Sequence, residues 1–190
     1  MNLITRMILV LVVIGVVSGG GLAILFAWAD PIIQNNAKEE TKAAIFQVVP
    51  KAVAYEKLEK APFEAYVVYG DAGKKEVVGY ALPTVGTGFQ GNIKLIIGIT
   101  PDLNKITAME VLDQLETPGL GSKITEEDFR NFFNGLSTEK PVTALKGETP
   151  HKEKSEIQAI TGATISSKAV VKIVNKGMED MRQLKKEGKI

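Results

Sequence analysis

The chain has 190 residues, 45% of them hydrophobic, enough for one domain with a real core and little beyond it. Lys and Arg number 23 against 22 Asp and Glu, a formal charge of +1 that supplies no field for drawing in nucleic acid. With no cysteine there are no disulfides, thiolate nucleophiles, zinc–thiolate sites or cysteine-ligated clusters, and the single histidine, His151 in the polar stretch GETPHKEKSE, excludes a multi-histidine metal site. From Met7 to Ala29 the sequence MILVLVVIGVVSGGGLAILFAWA carries no charge, and as a helix it would cross roughly 30 Å of hydrocarbon. Ala27-Trp28-Ala29 has the look of a signal-peptidase site, but the apolar run is longer than a signal's core and its basic flank is only Arg6, which favours an uncleaved anchor. Gly15 and Gly19 form a GxxxG, read equally well as a helix-packing face or as ordinary glycine tolerance in lipid. Arg6 lies before the span and Lys38 and Lys42 after it, so charge leaves the orientation open.

The segment PIIQNNAKEETKAAIFQVV predicts a second helix, with Ile32, Ile33, Ala37, Ala44, Ile45 and Val48 at helical spacing and Pro50 as its stop. Four β-rich runs follow: FEAYVVY (63–69), EVVGYAL (76–82), IKLIIGIT (93–100) and ITAMEVL (106–112), separated by turn signals that predict an antiparallel meander. TVGTGFQGN (84–92) reads as a flexible hairpin connection or as a ligand loop that offers Phe89 to a flat ring. LETPGLGSK (115–123) is a tight loop at a strand end, either a turn or a place where backbone donors meet a ligand beside Glu116. A helix is expected from Thr125, capped by T-E-E-D and stopped by Gly135. Another runs from Ser167 to about Lys186 with Val170, Ile173, Val174, Gly177, Met178, Met181 and Leu184 on one stripe. The division is an anchor (1–30), a helical connector (31–50) and one α+β domain (51–190), an antiparallel sheet with flanking helices.

ITGATISSK (160–168), between the short β-like EIQAI and the last helix, gathers four hydroxyls around Gly162 and Ala163. N-capping explains one hydroxyl; a phosphate seated on the helix N-terminus explains more of them.

A strand ending in ETPGLG, then Thr161-Gly162-Ala163-Thr164 before a terminal helix, behind one N-terminal span, resembles the flavin-binding G subunit of the Rnf ion-translocating electron-transport complex. The likeness extends over nearly the whole chain, and the C subunit of the sodium-pumping NADH:quinone reductase shares the domain. The resemblance implies an FMN-binding domain with FMN held covalently, as a phosphoester on Thr164. It implies Glu116, Thr117, Gly119, Leu120 and Gly121 near the ring or ribityl chain, and Thr161, Gly162 and Ala163 around the phosphate. Lys168 is either a cation near that phosphate or a solvated helix lysine. No histidine or other base adjoins Thr164, so a separate flavin transferase makes the bond. Partners implied are the membrane and the other membrane and iron–sulfur subunits of a complex that couples ferredoxin and NAD to Na⁺ or H⁺ movement. The resemblance implies a place in the cell membrane with the flavin domain on the outer side, and neither a metal site nor a catalytic residue of the chain's own. Two positions depart from the family pattern: Gln158 where the attachment motif usually begins with aspartate, which Glu156 could replace, and Gln114 where a histidine is common. The alternatives are the quinone-reductase C subunit and a colourless membrane-anchored binding module.

Overall fold

The structure is a computed structural model that describes residues 2–190. Its chain divides into two compact units, the first ending at Glu40 and the second running from Thr41 to Ile190. The first helix, α1 (Leu3–Val48), merges the two helices expected at the N-terminus, with Pro31 inside it. A proline ring carries a helical φ but removes one donor and crowds the carbonyl of Ala27, a cost of about 3 kcal/mol that the turns on either side offset. The apolar side chains from Leu3 to Trp28 are exposed, the pattern of a helix whose solvent is lipid.

The second unit is built on a six-stranded antiparallel meander: β1 (Ala54–Lys57), β2 (Tyr66–Tyr69), β3 (Val77–Thr87), β4 (Asn92–Ile99), β5 (Lys105–Gln114) and β6 (Leu136–Ser137), in sheet order as in sequence. The four expected strands are all present. The edge strands β1 and β6 are additions, too short to announce themselves by alternation. β3 runs further than its sequence suggests, because Thr84, Val85, Gly86 and Thr87 pair with Leu95, Lys94, Ile93 and Asn92. Residues 84–87 are therefore strand, and the connection is only 88–91. Pro83 is accommodated because β2 pairing ends at Ala81, leaving β3 an open edge on that side.

Beyond the sheet, β7 (Thr143–Leu145) pairs in parallel with β8 (Glu156–Gln158). Helix α2 is one turn only (Glu127–Arg130), set between 3₁₀ turns at Gly121–Thr125 and Asn131–Phe133. Thr125 does not cap it: its hydroxyl donates to the Ser122 carbonyl within the preceding turn (2.9 Å), so the capping-box reading was wrong. Gly135, at φ +72°, ends this segment as expected. The last helix, α3 (Thr164–Lys186), starts three residues before its predicted onset at Ser167.

Alternation along β4 sorts the core. Ile93, Leu95, Ile97 and Ile99 face α3, whose Val170, Ile173, Val174, Met178, Met181 and Leu184 are buried against them. Ile96 faces the other way, onto Ala44, Ile45 and Val48 at the end of α1. Each side chain fully buried in this way contributes about 1.5–3 kcal/mol. Two glycines let α3 lie close: a Cβ on Gly86 would stand 2.5 Å from Ile173 Cγ1, and one on Gly177 would stand 2.9 Å from Leu82 Cδ2. This seating brings the N-terminus of α3 to the end of the sheet where the β3–β4 turn and the loop after β5 emerge.

Candidate functional site

At that end the hydroxyl cluster separates into two kinds. Ser167 Oγ accepts from the Ile160 N–H (3.0 Å) and donates to the Ala163 carbonyl (3.0 Å), which fixes the approach to α3. Ser166 Oγ donates to the Glu116 carboxylate. Both serines are buried. Thr161 and Thr164 line a cleft of about 360 Å³ together with Phe89, Thr117, Leu120, Gly121, Lys146, Gly162, Ala163 and Ile165, and Ser166, bonded to Glu116, borders the same cleft. No side chain caps α3, whose N-cap position is Ala163, so the N–H groups of its first turn are left for water or a ligand. The cluster therefore does not serve as a cap.

Two tight turns make the cleft walls. Gly162 takes φ +85° in a turn closed by Ala163 N–H to the Ile160 carbonyl (3.0 Å). Its neighbour across the cleft is Leu120, whose Cδ2 would lie 3.3 Å from a Cβ at position 162. The ETPGLG loop turns through Gly119 at φ +72°, with Leu120 N–H and Ser122 N–H both donating to the Thr117 carbonyl (3.2 and 3.1 Å). Gly121 is required for a packing reason: a Cβ there would come within 2.8 Å of Ser166 Oγ and 2.9 Å of Glu116.

Glu116 lies behind the cleft rather than on its surface, at 4% exposure. One oxygen accepts from Phe89 N–H (2.8 Å) and Gln90 N–H (3.1 Å), and the other accepts from Ser166. Burial is the largest single influence on this carboxyl and acts to raise it. The Ser166 hydroxyl and the N–H groups of Gln90, Phe89 and Gly91 together outweigh burial, and the group is held below the ordinary glutamate value. Gln114 supports the same loop by accepting from Glu116 N–H (2.6 Å).

Of the residues expected at the site, Thr117, Leu120, Gly121, Thr161, Gly162, Ala163 and Thr164 come together in the cleft. Gly119 is exposed and shapes its loop, Glu116 sits behind the wall, and Lys168 is exposed one turn along α3. Sequence reasoning missed Lys146, which reaches the cleft from the end of β7 and which no local pattern distinguishes from other lysines. Gln158 lines a separate hollow of about 260 Å³ that shares Thr161 with the cleft and also carries Glu126 and Asp128. His151 is exposed, 3.8 Å from Glu153, as a solvated loop residue should be. Among the described residues no group of His, Asp or Glu has the arrangement of a metal site.

A larger hollow, about 610 Å³, runs along the flank of α3 and is lined by Lys140, Lys172, Lys176, Arg182 and Lys186. Several of its polar groups already have protein partners: Arg182 donates to the Thr138 carbonyl, Lys176 pairs with Asp180 at 2.8 Å, and Asn175 is bonded both ways to the Val142 backbone (2.7 and 2.8 Å). The smaller cleft differs in that its polar groups come from several separate segments and include the uncapped first turn of α3.

The sequence profile of the FMN-binding domain matches residues 88–179, a span that contains every wall of this cleft. The G subunit of the Na⁺-translocating ferredoxin:NAD⁺ oxidoreductase complex of Acetobacterium woodii is 36% identical over 94% of this chain and 91% of its own length. The G subunit of an ion-translocating oxidoreductase complex from Methanosarcina acetivorans is 32% identical over 93% of each chain. Among solved structures, NqrC of Shewanella oneidensis superposes with a TM-score of 0.57 at 19% identity, covering 74% of this chain and 73% of that one, a likeness of fold. The C subunit of the Na⁺-translocating NADH-quinone reductase from Parabacteroides distasonis gives 0.52 at 26% identity over 62% of this chain and 60% of its own.

The cleft fits a flavin mononucleotide on its own terms. Its volume falls within the range of small-molecule sites, about 300–1,000 Å³. No acidic side chain lines it, Lys146 and the first turn of α3 suit a phosphate, and Phe89, Leu120 and Ile165 are exposed apolar groups suited to a flat ring.

Proposed function

The chain belongs to the G-subunit family of ion-translocating oxidoreductase complexes, and from that premise we propose that it is a membrane-anchored electron carrier whose FMN is esterified to Thr164. The observation that carries the reading is the position of Thr164. It is the first residue of α3, half-buried, on the wall of a cleft that suits phosphate and ring, while the neighbouring serines are committed to structural bonds. An ester at that oxygen seats the phosphate against the N–H groups of the first helical turn, where the dipole and Lys146 favour negative charge. Thr161, Gly162 and Ala163 keep the backbone close around it. Thr117, Leu120 and Gly121 border the rest of the cofactor.

Bound FMN supplies one- and two-electron transfer that the polypeptide lacks. The chain's contribution is to hold it permanently, to cover it with apolar groups and to keep acidic charge off the cleft surface. Neither a histidine nor a carboxylate lines the cleft to activate the Thr164 hydroxyl, which supports attachment by a separate flavin transferase. Covalent tethering replaces affinity with an effective concentration that reversible binding on the outer face of a membrane could not sustain.

The functional division is a span over 1–30, a connector over 31–50 and the FMN-binding domain over 51–190. The charge-free stretch 7–29 anchors the protein in the membrane and has no ionisable group to carry an ion, so the Na⁺ or H⁺ path belongs to other subunits. Those subunits, including iron–sulfur ones, exchange electrons with this flavin, which we place on the outer face. Overall identity with the G-subunit relatives supports this assignment over the quinone-reductase C subunit, whose solved structures share the fold.

The test is peptide mass spectrometry on protein from its natural membranes. The peptide containing Thr164 should carry the mass of FMN less water, and protein yellow after denaturation should become colourless with Thr164→Ala. An unmodified Thr164 peptide from native material would remove the assignment.

A further inference from the structure

The loop carboxylate of ETPGLG was expected beside the cofactor, yet its geometry gives it a different task. Glu116 is buried, and each of its oxygens is used: Oε1 holds Phe89 N–H and Gln90 N–H, while Oε2 receives Ser166 Oγ from α3. Its own N–H is held by the Gln114 side chain (2.6 Å). Space around it is tight on both sides. A Cβ on Gly88 would collide with Oε1, and a Cβ on Gly121 would lie 2.9 Å from Oε2. Three segments that are remote in sequence, the 88–91 turn, the loop after β5 and the first turn of α3, thus converge on one side chain. All three deliver residues to the cleft, Phe89 from the turn, Thr117, Leu120 and Gly121 from the loop, and Thr164 from the helix. Phe89 itself is 59% exposed and has little other packing to hold it.

We propose that Glu116 is a positioning residue: its carboxylate latches the 88–91 turn to the first turn of α3, so that the Phe89 ring is kept over the same cleft that opens at Thr164. The claim rests on the flavin assignment for its consequence and on hydrogen bonding alone for its geometry. A charged acceptor suits the task, since bonds from N–H and O–H to a carboxylate are about twice as strong as neutral ones. Among the described residues the carboxylate pairs with no lysine or arginine, so its hold depends on these donors. Removing it loosens the Phe89–Gln90 tip of the turn, whose base stays closed by Gly88 N–H to the Gly91 carbonyl (2.7 Å), without removing any group that lines the cleft.

The experiment uses the full chain in detergent, in two forms: flavin-bearing protein from a host with the attachment machinery and flavin-free protein from a host without it. In the flavin-free form, amide hydrogen exchange at Phe89 and Gln90 should rise by about tenfold in Glu116→Gln, which keeps one oxygen as acceptor but removes the charge that strengthens both bonds. Exchange in the β4 and β5 amides should be unchanged, which shows that the fold persists. In the flavin-bearing form, Phe89→Trp places a contact quencher over the cleft and should shorten the flavin fluorescence lifetime. Adding Glu116→Gln, or the milder Ser166→Ala that cuts the helix side of the latch along with one hydroxyl at the cleft edge, should lengthen it again. Unchanged exchange at Phe89 and Gln90, or a quenched lifetime that neither second substitution relieves, would overturn the proposal. A failure of the unsubstituted chain to acquire flavin would instead count against the functional assignment, and the exchange measurement would still judge the latch.

Discussion

The two hollows beside α3 differ in a way that volume does not convey. The flank hollow is the larger, about 610 Å³ against about 360 Å³, and its five cations make it the more highly charged. Its side chains, however, come mostly from one helix face, and several already bond to each other or to nearby backbone. The smaller cleft is assembled from the 88–91 turn, the 115–121 loop, the end of β7 and the start of α3, and the N–H groups of the first helical turn are left open to it. Convergence of available donors from separate segments marks a binding site; a row of lysines along a helix is what a solvated face looks like.

Substitutions can break this comparison or sharpen it. The largest effect should come from Thr164→Ala, with complete loss of flavin-bearing peptide by mass spectrometry and a change in unfolding free energy within about 0.5 kcal/mol, because the side chain caps nothing in α3. Glu116→Ala should lower the stability of the domain by about 3 kcal/mol in denaturant unfolding, since it strands Phe89 N–H, Gln90 N–H and Ser166 Oγ together. Gly86→Ala drives a methyl group into Ile173 and should cost about 2 kcal/mol by lifting α3 from the sheet, with a shift in the flavin spectrum because the start of α3 moves as well.

Acid should act on the carboxylate behind the cleft. The Glu116 carboxyl is depressed in the folded protein, so its contribution is fully present above the unfolded value, about 4.3, and is lost as pH falls through the lower folded value. The stability gap between wild type and Glu116→Gln, measured by thermal unfolding across pH, should therefore narrow on acidification. The smallest effect belongs to the larger hollow: Lys172→Glu with Lys186→Glu should leave flavin content unchanged and alter stability by no more than about 0.5 kcal/mol. If that pair abolished flavin attachment, the two hollows would have been assigned the wrong way round.

Much of the scaffold was legible in the residues. The β-branched and aromatic residues of EVVGYAL, IKLIIGIT and ITAMEVL, bounded by turn signals, identify the central strands, because such side chains pack well on a pleated surface. The stripe from Val170 to Leu184 identifies α3 by its period near 3.6. Glycine misled the reading of TVGTGFQGN. Gly86 looks like loop punctuation, but it sits in β3 because Ile173 needs the space. T-E-E-D misled in a similar way, because the tight 3₁₀ turn before it consumed the Thr125 hydroxyl.

What the sequence by itself determined is the succession of the four longer strands and the last helix, the charge-free N-terminal helix and the two motifs around Thr117 and Thr164, all of which depend on interactions within a few residues along the chain. Only the tertiary structure decided that Ser167 is tied to the backbone while Thr161, Thr164 and Ser166 border the cleft, that Lys146 joins them, and that Glu116 reaches back to Phe89 and across to Ser166. Those facts depend on the seating of α3 against β3 and β4. Such contacts between distant segments leave no trace in local pattern, because a buried carboxylate and a solvated one are spelled with the same letter.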